Sequence, residues 1–399
     1  MKKILRIIPI VVLFVSIGFF IGLTEFKSET KTVQFANTNV KTGSLIANNE
    51  NNMEFKRVNL FKFTENKSAP NSFSRNMTFL VLDRSSLVKT VNANEKRIIF
   101  TIPVNQYEFM ELEMVEQKVF SENSSIYEIN GDTKTKVPFT PGISYTGIVK
   151  GKPNSVATAS VFNNFVTAIV SDETGNYVLG SVPAGDGKPF SENYVYYNDN
   201  DLSSLNNFKC SVEGQEEKFS RNALTESYNA LHNINNPGNN DARTSVKVYF
   251  EADYKMYQDF SNSTSNVASY IQAMYNSVIT IYQNESIPTT ISDIGVWTST
   301  DPYANMSDNE QILIKFGNNK RDNFPGNLAQ LLSTRTNTGG GGIAWINILC
   351  IPYQSDGSGR YSFCFIDPTY NNYPVYSWTV NVVAHELGHN FGSWHTHSC

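Results

Sequence analysis

His385, Glu386, His389, Gly392 and His395 stand in the spacing H-E-x-x-H-x-x-G-x-x-H, and few local structures can use that spacing. On a helix, residues four apart lie one above the other, so His385 and His389 share a face. Two imidazoles so placed can hold one Zn²⁺, and Glu386 reaches the same space. Gly392 can take a positive φ, which ends a helix and turns the chain. His395 then returns as a third ligand. Three protein ligands leave one position open for water, as a catalytic zinc site requires, and Glu386 is placed to accept that water's proton. Five fixed residue types at about 5% each recur by chance in on the order of one chain in ten thousand of this length. Four of the five histidines fall within residues 385–397. His397, only two residues past His395, is expected at the surface or beside a ligand rather than on the metal.

Upstream, strand and helix patterns alternate. Residues 246–252 read as a strand. Val267, Tyr270, Ile271, Met274, Val278, Ile281 and Tyr282 then recur at helical spacing, with Ser and Thr near the start for capping. Residues 291–297 read as a second strand. Ser307-Asp-Asn-Glu310 reads as a capping box ahead of Ile312, Leu313 and Phe316. Residues 328–332 form a third strand or a short helix. A four-glycine run, 339–342, leads into a strand over 343–349. Glycine runs can cradle phosphates, but no Lys-Ser/Thr follows and no helix opens, so a nucleotide loop is rejected.

On these residues the carboxy-terminal block resembles the metzincin zinc peptidases. His385, Glu386, His389, Gly392 and His395 match that motif position by position, and His385-Glu-Leu-Gly-His-Asn-Phe-Gly392 resembles the adamalysin, or reprolysin, branch. The stretch from Val246 to Trp297, and Gly341 to Trp345, is similar to the amino-terminal subdomain of bacterial secreted members. The resemblance covers residues 244–399. It implies an α/β (α+β) catalytic domain with a twisted mixed sheet and long helices, one catalytic Zn²⁺, and protein or peptide substrates. It implies that Glu386 is the general base and later delivers the proton to the leaving amine. It also implies that Ile343, Ala344 and Trp345 belong to an edge strand that pairs with substrate main chain. There are two departures. Thr396 stands where the branch usually has Asp. The chain also ends four residues after His395, whereas the family continues into a Met-containing turn and a small carboxy-terminal subdomain, so the catalytic domain is expected to be incomplete. A competing reading, an inactive or incomplete module acting in binding or adhesion, is disfavoured by Glu386 standing beside three intact ligands.

The amino-terminal half differs. Met110, Leu112 and Met114 alternate with polar neighbours. Residues 143–149, 156–162, 165–170 and 177–179 read as further strands, with turns at Pro141-Gly142, 152–155, Asn163-Asn164 and 174–176. Residues 28–198 are therefore expected to form a β-rich antiparallel domain, and the resemblance implies that this domain is a propeptide. Residues 199–243, rich in Asn, Asp, Ser and Glu, read as a linker with a short helix at 224–231 and an activation site for proteolysis. Cys210 lies in this linker. The resemblance makes it a candidate switch ligand, a thiolate on the zinc's open position that holds a zymogen latent; a disulfide or a plain free thiol are the alternatives. Cys350 and Cys364, near each other in the chain, are the easiest pair to bridge.

Lys2, Lys3 and Arg6 precede an apolar run over 7–23, the pattern of a secretory signal peptide over residues 1–24. Export, hence a secreted protein, is expected, with membrane attachment only if that segment stays uncleaved. The 399 residues are 40% hydrophobic and carry a net charge of −5, which supports a packed core and disfavours nucleic-acid binding. The 26 Phe and 20 Tyr suit β-rich packing. Asp253, Glu285 and Asp301 are Ca²⁺ candidates by type only, at spacings that match no known loop.

Overall fold

The computed structural model describes residues 42, 46, 54–65, 74, 76–182, 190–202, 208–220, 245–335, 341–367 and 376–395. The signal segment, the helix expected at 224–231, His397 and Cys399 lie outside these residues. In chain order the first half contains β1 (Lys56–Asn59), β2 (Phe61–Phe63), β3 (Met77–Leu82), α1 (Arg84–Ala93), β4 (Arg97–Pro103), β5 (Phe109–Glu116), β6 (Phe120–Asn130), β7 (Thr133–Val137), β8 (Ile143–Val149), β9 (Lys152–Val161), β10 (Val166–Asp172), β11 (Gly175–Ser181) and β12 (Asn193–Asn198). A one-turn helix α2 (Glu216–Ser220) follows. The second half contains β13 (Val246–Ala252), α3 (Tyr254–Asp259), α4 (Thr264–Asn284), β14 (Thr289–Trp297), α5 (Asn309–Lys320), β15 (Leu328–Ser333), β16 (Gly342–Ala344), β17 (Tyr361–Phe365) and α6 (Tyr376–Asn390).

Ten strands form one sheet in the order β1-β4-β5-β8-β9-β10-β11-β12-β3-β2. It is antiparallel except for β1 beside β4. On β12, Tyr194 and Tyr196 join one buried cluster while Val195 and Tyr197 join another. That two-residue alternation places both faces of the sheet against protein, so these strands lack the polar-out pattern of a half-wet sheet. The first cluster, around Phe100, Leu112, Tyr145 and Leu179, is closed by Leu87 of α1. Asp83 caps α1 by accepting from Ser85 N and Ser86 N, and Asn94 ends it in the left-handed region at φ 45°. The turn expected at 152–155 is instead part of β9. Lys150-Gly151 makes the hairpin, with Gly151 at φ 80°. Ser155 tightens it by donating to Lys152 O and accepting from Val149 N.

Seven strands form a second, mixed sheet in the order β16-β17-β15-β13-β14-β6-β7. Its central pairs are parallel, and β16 and β7 run antiparallel to their neighbours. Residues 120–137 lie within the block 28–198 that the sequence assigns to one antiparallel domain. Instead β6 pairs with β14, so residues 120–137 extend the carboxy-terminal sheet. Helix α4 spans 21 residues with Ser263 as its cap, as its periodicity predicts. The cap of α5 is Asp308, which accepts from Gln311 N, one residue later than the expected Ser307 box. Residues 328–333 settle as strand. The strand expected over 343–349 stops at Ala344, because Asn347 N and Ile348 N bond instead to His389 O and Asn390 O at the end of α6.

Candidate metal centre and active site

Helix α6 presents Val380, Val383, Ala384 and Leu387 to the core, at the i, i+3, i+4, i+7 spacing of a buried helical face. Tyr282 of α4 donates to Ala384 O at 2.5 Å and fixes α6 against α4. The helix ends in a Schellman motif. Ser393 N donates to Gly388 O and Gly392 N to His389 O, with Gly392 at φ 105°. The glycine supplies the turn expected of it, and His395 comes back beside the helix. His385 Nε2 lies 3.2 Å from His395 Nε2.

The donor atoms of Cys210, His385, His389 and His395 all lie within 4.8 Å of one another. Cys210 Sγ is 3.4 Å from His389 Nε2. A tetrahedral ion with bonds of about 2.0 to 2.3 Å spaces its donors about 3.3 to 3.6 Å apart. Three nitrogens and one sulfur at this spacing fit Zn²⁺, and no hard-cation oxygen set accompanies them. The tautomers fit as well. His389 Nδ1 faces Ser393 O at 2.7 Å, and a carbonyl can only accept, so the free lone pair is on Nε2. His395 Nδ1 likewise donates to Glu216 Oε1 at 2.7 Å, leaving Nε2 for a metal. Burial holds His385 down at about 3 and His389 at about 4, so both are neutral at pH 7. Burial pushes the Cys210 thiol up. A coordinated cation reverses that balance, because a coordinating thiol is deprotonated.

Glu386 is fully buried, and neither carboxylate oxygen has a hydrogen-bond partner. Its pKa is raised well above the carboxylate range by that burial. An orphaned carboxylate is costly and marks a site built to meet a polar group. The edge strand β16 passes directly over it. A Cβ on Gly342 would fall 2.5 Å from Glu386 Cγ, so only glycine lets strand and carboxylate approach this closely. Ile343 and Ala344 lie in that strand; Trp345 lies just past it, with its N–H on Tyr361 O.

Residues 208–220 cross this site. Cys210 forms a parallel bridge to Gly342, and Ser211 N donates to Gly342 O at 2.9 Å. Phe208 packs edge-on to His385, and Phe219 lies against Trp345. Asn309 Nδ2 donates to Ser211 Oγ, and Lys218 pairs with Glu310. This part of the expected linker is therefore an ordered strap. Sequence reading located Cys210 but not Glu216, six residues on; only the fold brings that carboxylate to His395. It also missed Asn390, whose Nδ2 donates to Trp345 O and Tyr361 O and ties α6 to the edge strands.

Other candidates separate. Cys350 and Cys364 are free thiols, not a disulfide: Cys364 is buried under α6 and Cys350 is exposed. Asp253 pairs with Arg335 at 3.0 Å and caps α3, and Asp301 accepts from Tyr254 N and Tyr303 N. Those carboxylates are spent on structure, and Glu285 sits at the end of α4, away from them. Among the described residues no helix is long and apolar enough to cross a membrane.

A mixed sheet and a helix carrying the H-E-x-x-H pair, with a third histidine returning beyond a glycine turn, make the arrangement of a zinc metalloendopeptidase. Residues 242–399 match the family model described as Reprolysin_5, metallo-peptidase family M12. The chain is similar to snake venom metalloproteinase TM-1 of Protobothrops mucrosquamatus, at 27% identity over 156 residues, 38% of this chain and 72% of that protein. Among solved structures it is similar to metalloproteinase-II from Bacteroides fragilis, at 12% identity and a TM-score of 0.37, covering 79% of this chain and 86% of that one.

Proposed function

We propose that this chain is an exported zinc endopeptidase made as a zymogen. In this reading His385, His389 and His395 are the zinc ligands, Glu386 is the general base and Cys210 is the latch. The observation that carries it is the Cys210 thiol 3.4 Å from His389 Nε2, delivered by a strap that also takes the edge-strand carbonyl of Gly342. Bound zinc would supply Lewis-acid polarisation of the scissile carbonyl and lower the pKa of its water towards about 7. The chain's own residues do the rest. Glu386 takes the attacking water's proton on a carboxylate oxygen and passes it to the leaving amine nitrogen. Gly342, Ile343 and Ala344 offer main-chain groups to an extended substrate once residues 208–211 leave. The positive segment Lys2–Arg6 and the apolar run after it support export.

The test is peptide hydrolysis and zinc content in the full chain, Cys210→Ala, and Glu386→Gln. The parent is expected to bind one zinc and cleave slowly. Cys210→Ala should cleave at least tenfold faster without any cut. Glu386→Gln, made in the Cys210→Ala background, should keep its zinc and lose about 10²- to 10⁴-fold in kcat. A parent already as active as Cys210→Ala would remove the latch, and an active Glu386→Gln would remove the base.

A further inference from the structure

The carboxy-terminal half contributes five strands to its sheet, and both edges of that set are taken by residues of the amino-terminal half. One is the β16 edge, bridged by Cys210 at the cleft. The other is the β14 edge, at the opposite end of the sheet and remote from the histidines, where β6 pairs in parallel register from Ile291↔Phe120 to Trp297↔Ile129.

The β14 edge is a fitted surface. Ser125 N donates to Asp293 Oδ1 at 2.7 Å, Ser124 Oγ to Ile291 O at 3.0 Å, and Thr298 N to Ile129 O at 2.9 Å. Gly295 leaves space shared by Tyr249 of β13 and Ile129 of β6: a Cβ there would lie 2.3 Å from the Tyr249 hydroxyl and 2.9 Å from Ile129 Cδ1. Beside it, α4 turns a polar stripe towards β8 and β9. Gln272 donates to Gly142 O and accepts from Gly142 N, and Asn276 Nδ2 donates to Tyr145 O and Ala159 O. Thr158 and Ser277 share a hydrogen bond of 2.7 Å. A cavity of about 500 Å³ opens along this seam, lined in part by Arg97, Gln117, Gln283 and Thr289. These specific polar pairs, and the room for water beside them, border an apolar core that both halves share, with Phe79, Ile126 and Val195 from one and Ile279 and Ile294 from the other, so the seam combines an apolar centre with a polar rim as interfaces between folded partners do.

We propose that the β14 edge and the polar face of α4 form a second docking surface for the β-sheet domain, independent of the cleft. A cut between Ser220 and Ser245 then leaves two halves held as a non-covalent complex, and opening the cleft requires a further step that withdraws the strap. The proposal rests on the reading of the amino-terminal half as a propeptide.

The experiment inserts a specific protease site between Ser220 and Ser245 of the full chain and follows the cut protein by size-exclusion chromatography at micromolar concentration. Both fragments are expected in one peak. With Cys210→Ala, Glu216→Ala, Phe208→Ala and Phe219→Ala together, which remove the side chains that the strap places on the histidines and Trp345, they should still co-elute. Asp293→Ala, which removes the acceptor of Ser125 N, should weaken the complex about tenfold, while the uncut variant retains a single thermal transition. Fragments that separate in the parent, or as soon as the strap's cleft residues are changed, overturn the second surface, as does an Asp293→Ala complex of parental affinity. Peptide hydrolysis by the uncut parent is read in parallel. High activity there would defeat the zymogen reading while the co-elution still decides the docking surface.

Discussion

The Glu216 carboxylate lies 2.7 Å from His395 Nδ1, and both side chains are about nine-tenths buried. A carboxylate on the far nitrogen of a candidate ligand histidine fixes its tautomer and raises its basicity. The same strap thus carries a thiol towards the metal position and an orienting group for the third histidine. Glu216→Gln in the full chain is expected to lower zinc affinity about 10- to 100-fold, measured by competition with a chromogenic chelator. Affinity equal to the parent would show that Glu216 only tethers the strap.

Gly342→Ala should spoil the site without emptying it. The new methyl would meet Glu386 at 2.5 Å, a contact that strand or carboxylate must move to relieve. A shift of about 1 Å in a catalytic group can cost about 10²-fold. Kinetics in the Cys210→Ala background should show that loss in kcat, with one zinc per chain by elemental analysis. Unchanged kcat would mean the strand yields freely.

Glu251 is a buried hub on β13. Its carboxylate accepts from Trp297 Nε1 at 2.8 Å, Tyr249 OH at 3.0 Å and Tyr303 OH at 3.1 Å, and pairs with Lys320 Nζ at 2.5 Å. Glu251→Ala strands an ammonium and three donors in the interior. We expect a loss of about 3–5 kcal/mol in urea unfolding. A loss below about 1 kcal/mol would show that water takes the vacated place.

Asp83, the cap of α1, is held at about 2, first by its hydrogen bond with Ser85 and then by Ser86 N. A folded-state pKa below the unfolded value gives stability that is present above pH 4 and is lost as pH falls through 2. The difference in urea midpoint between parent and Asp83→Asn should therefore be largest near neutral pH and vanish by about pH 2. A difference that persists there would assign the effect to packing.

The strands and helices of the second half were legible because each is long and strongly patterned: 246–252, the α4 face from Val267 to Tyr282, and 291–297 all lie where their periodicity puts them. Boundaries failed where a tertiary bond competes with the local pattern. The apolar run 343–349 reads as one strand, yet the carbonyls of His389 and Asn390 take the N–H groups of Asn347 and Ile348 and end it. Ser307 and Asp308 are both good caps, and only the backbone geometry selects Asp308. The region before residue 95 showed no usable pattern, because β1 and β2 are only four and three residues long.

The sequence by itself determined the candidate metal site, since a helix repeat and one glycine turn bring His385, His389 and His395 together through local geometry alone. It also marked Cys210 as a thiol in an otherwise polar segment. Only the tertiary structure decided what lies against that site. Glu216 reaches His395 across 179 residues, and the β6–β7 hairpin crosses from one half of the chain to the edge of the other half's sheet. Side-chain periodicity reports which face of a strand is buried. It carries no information about which edge its N–H and C=O groups will find, because that pairing is the same for every sequence and is settled by what the fold brings alongside.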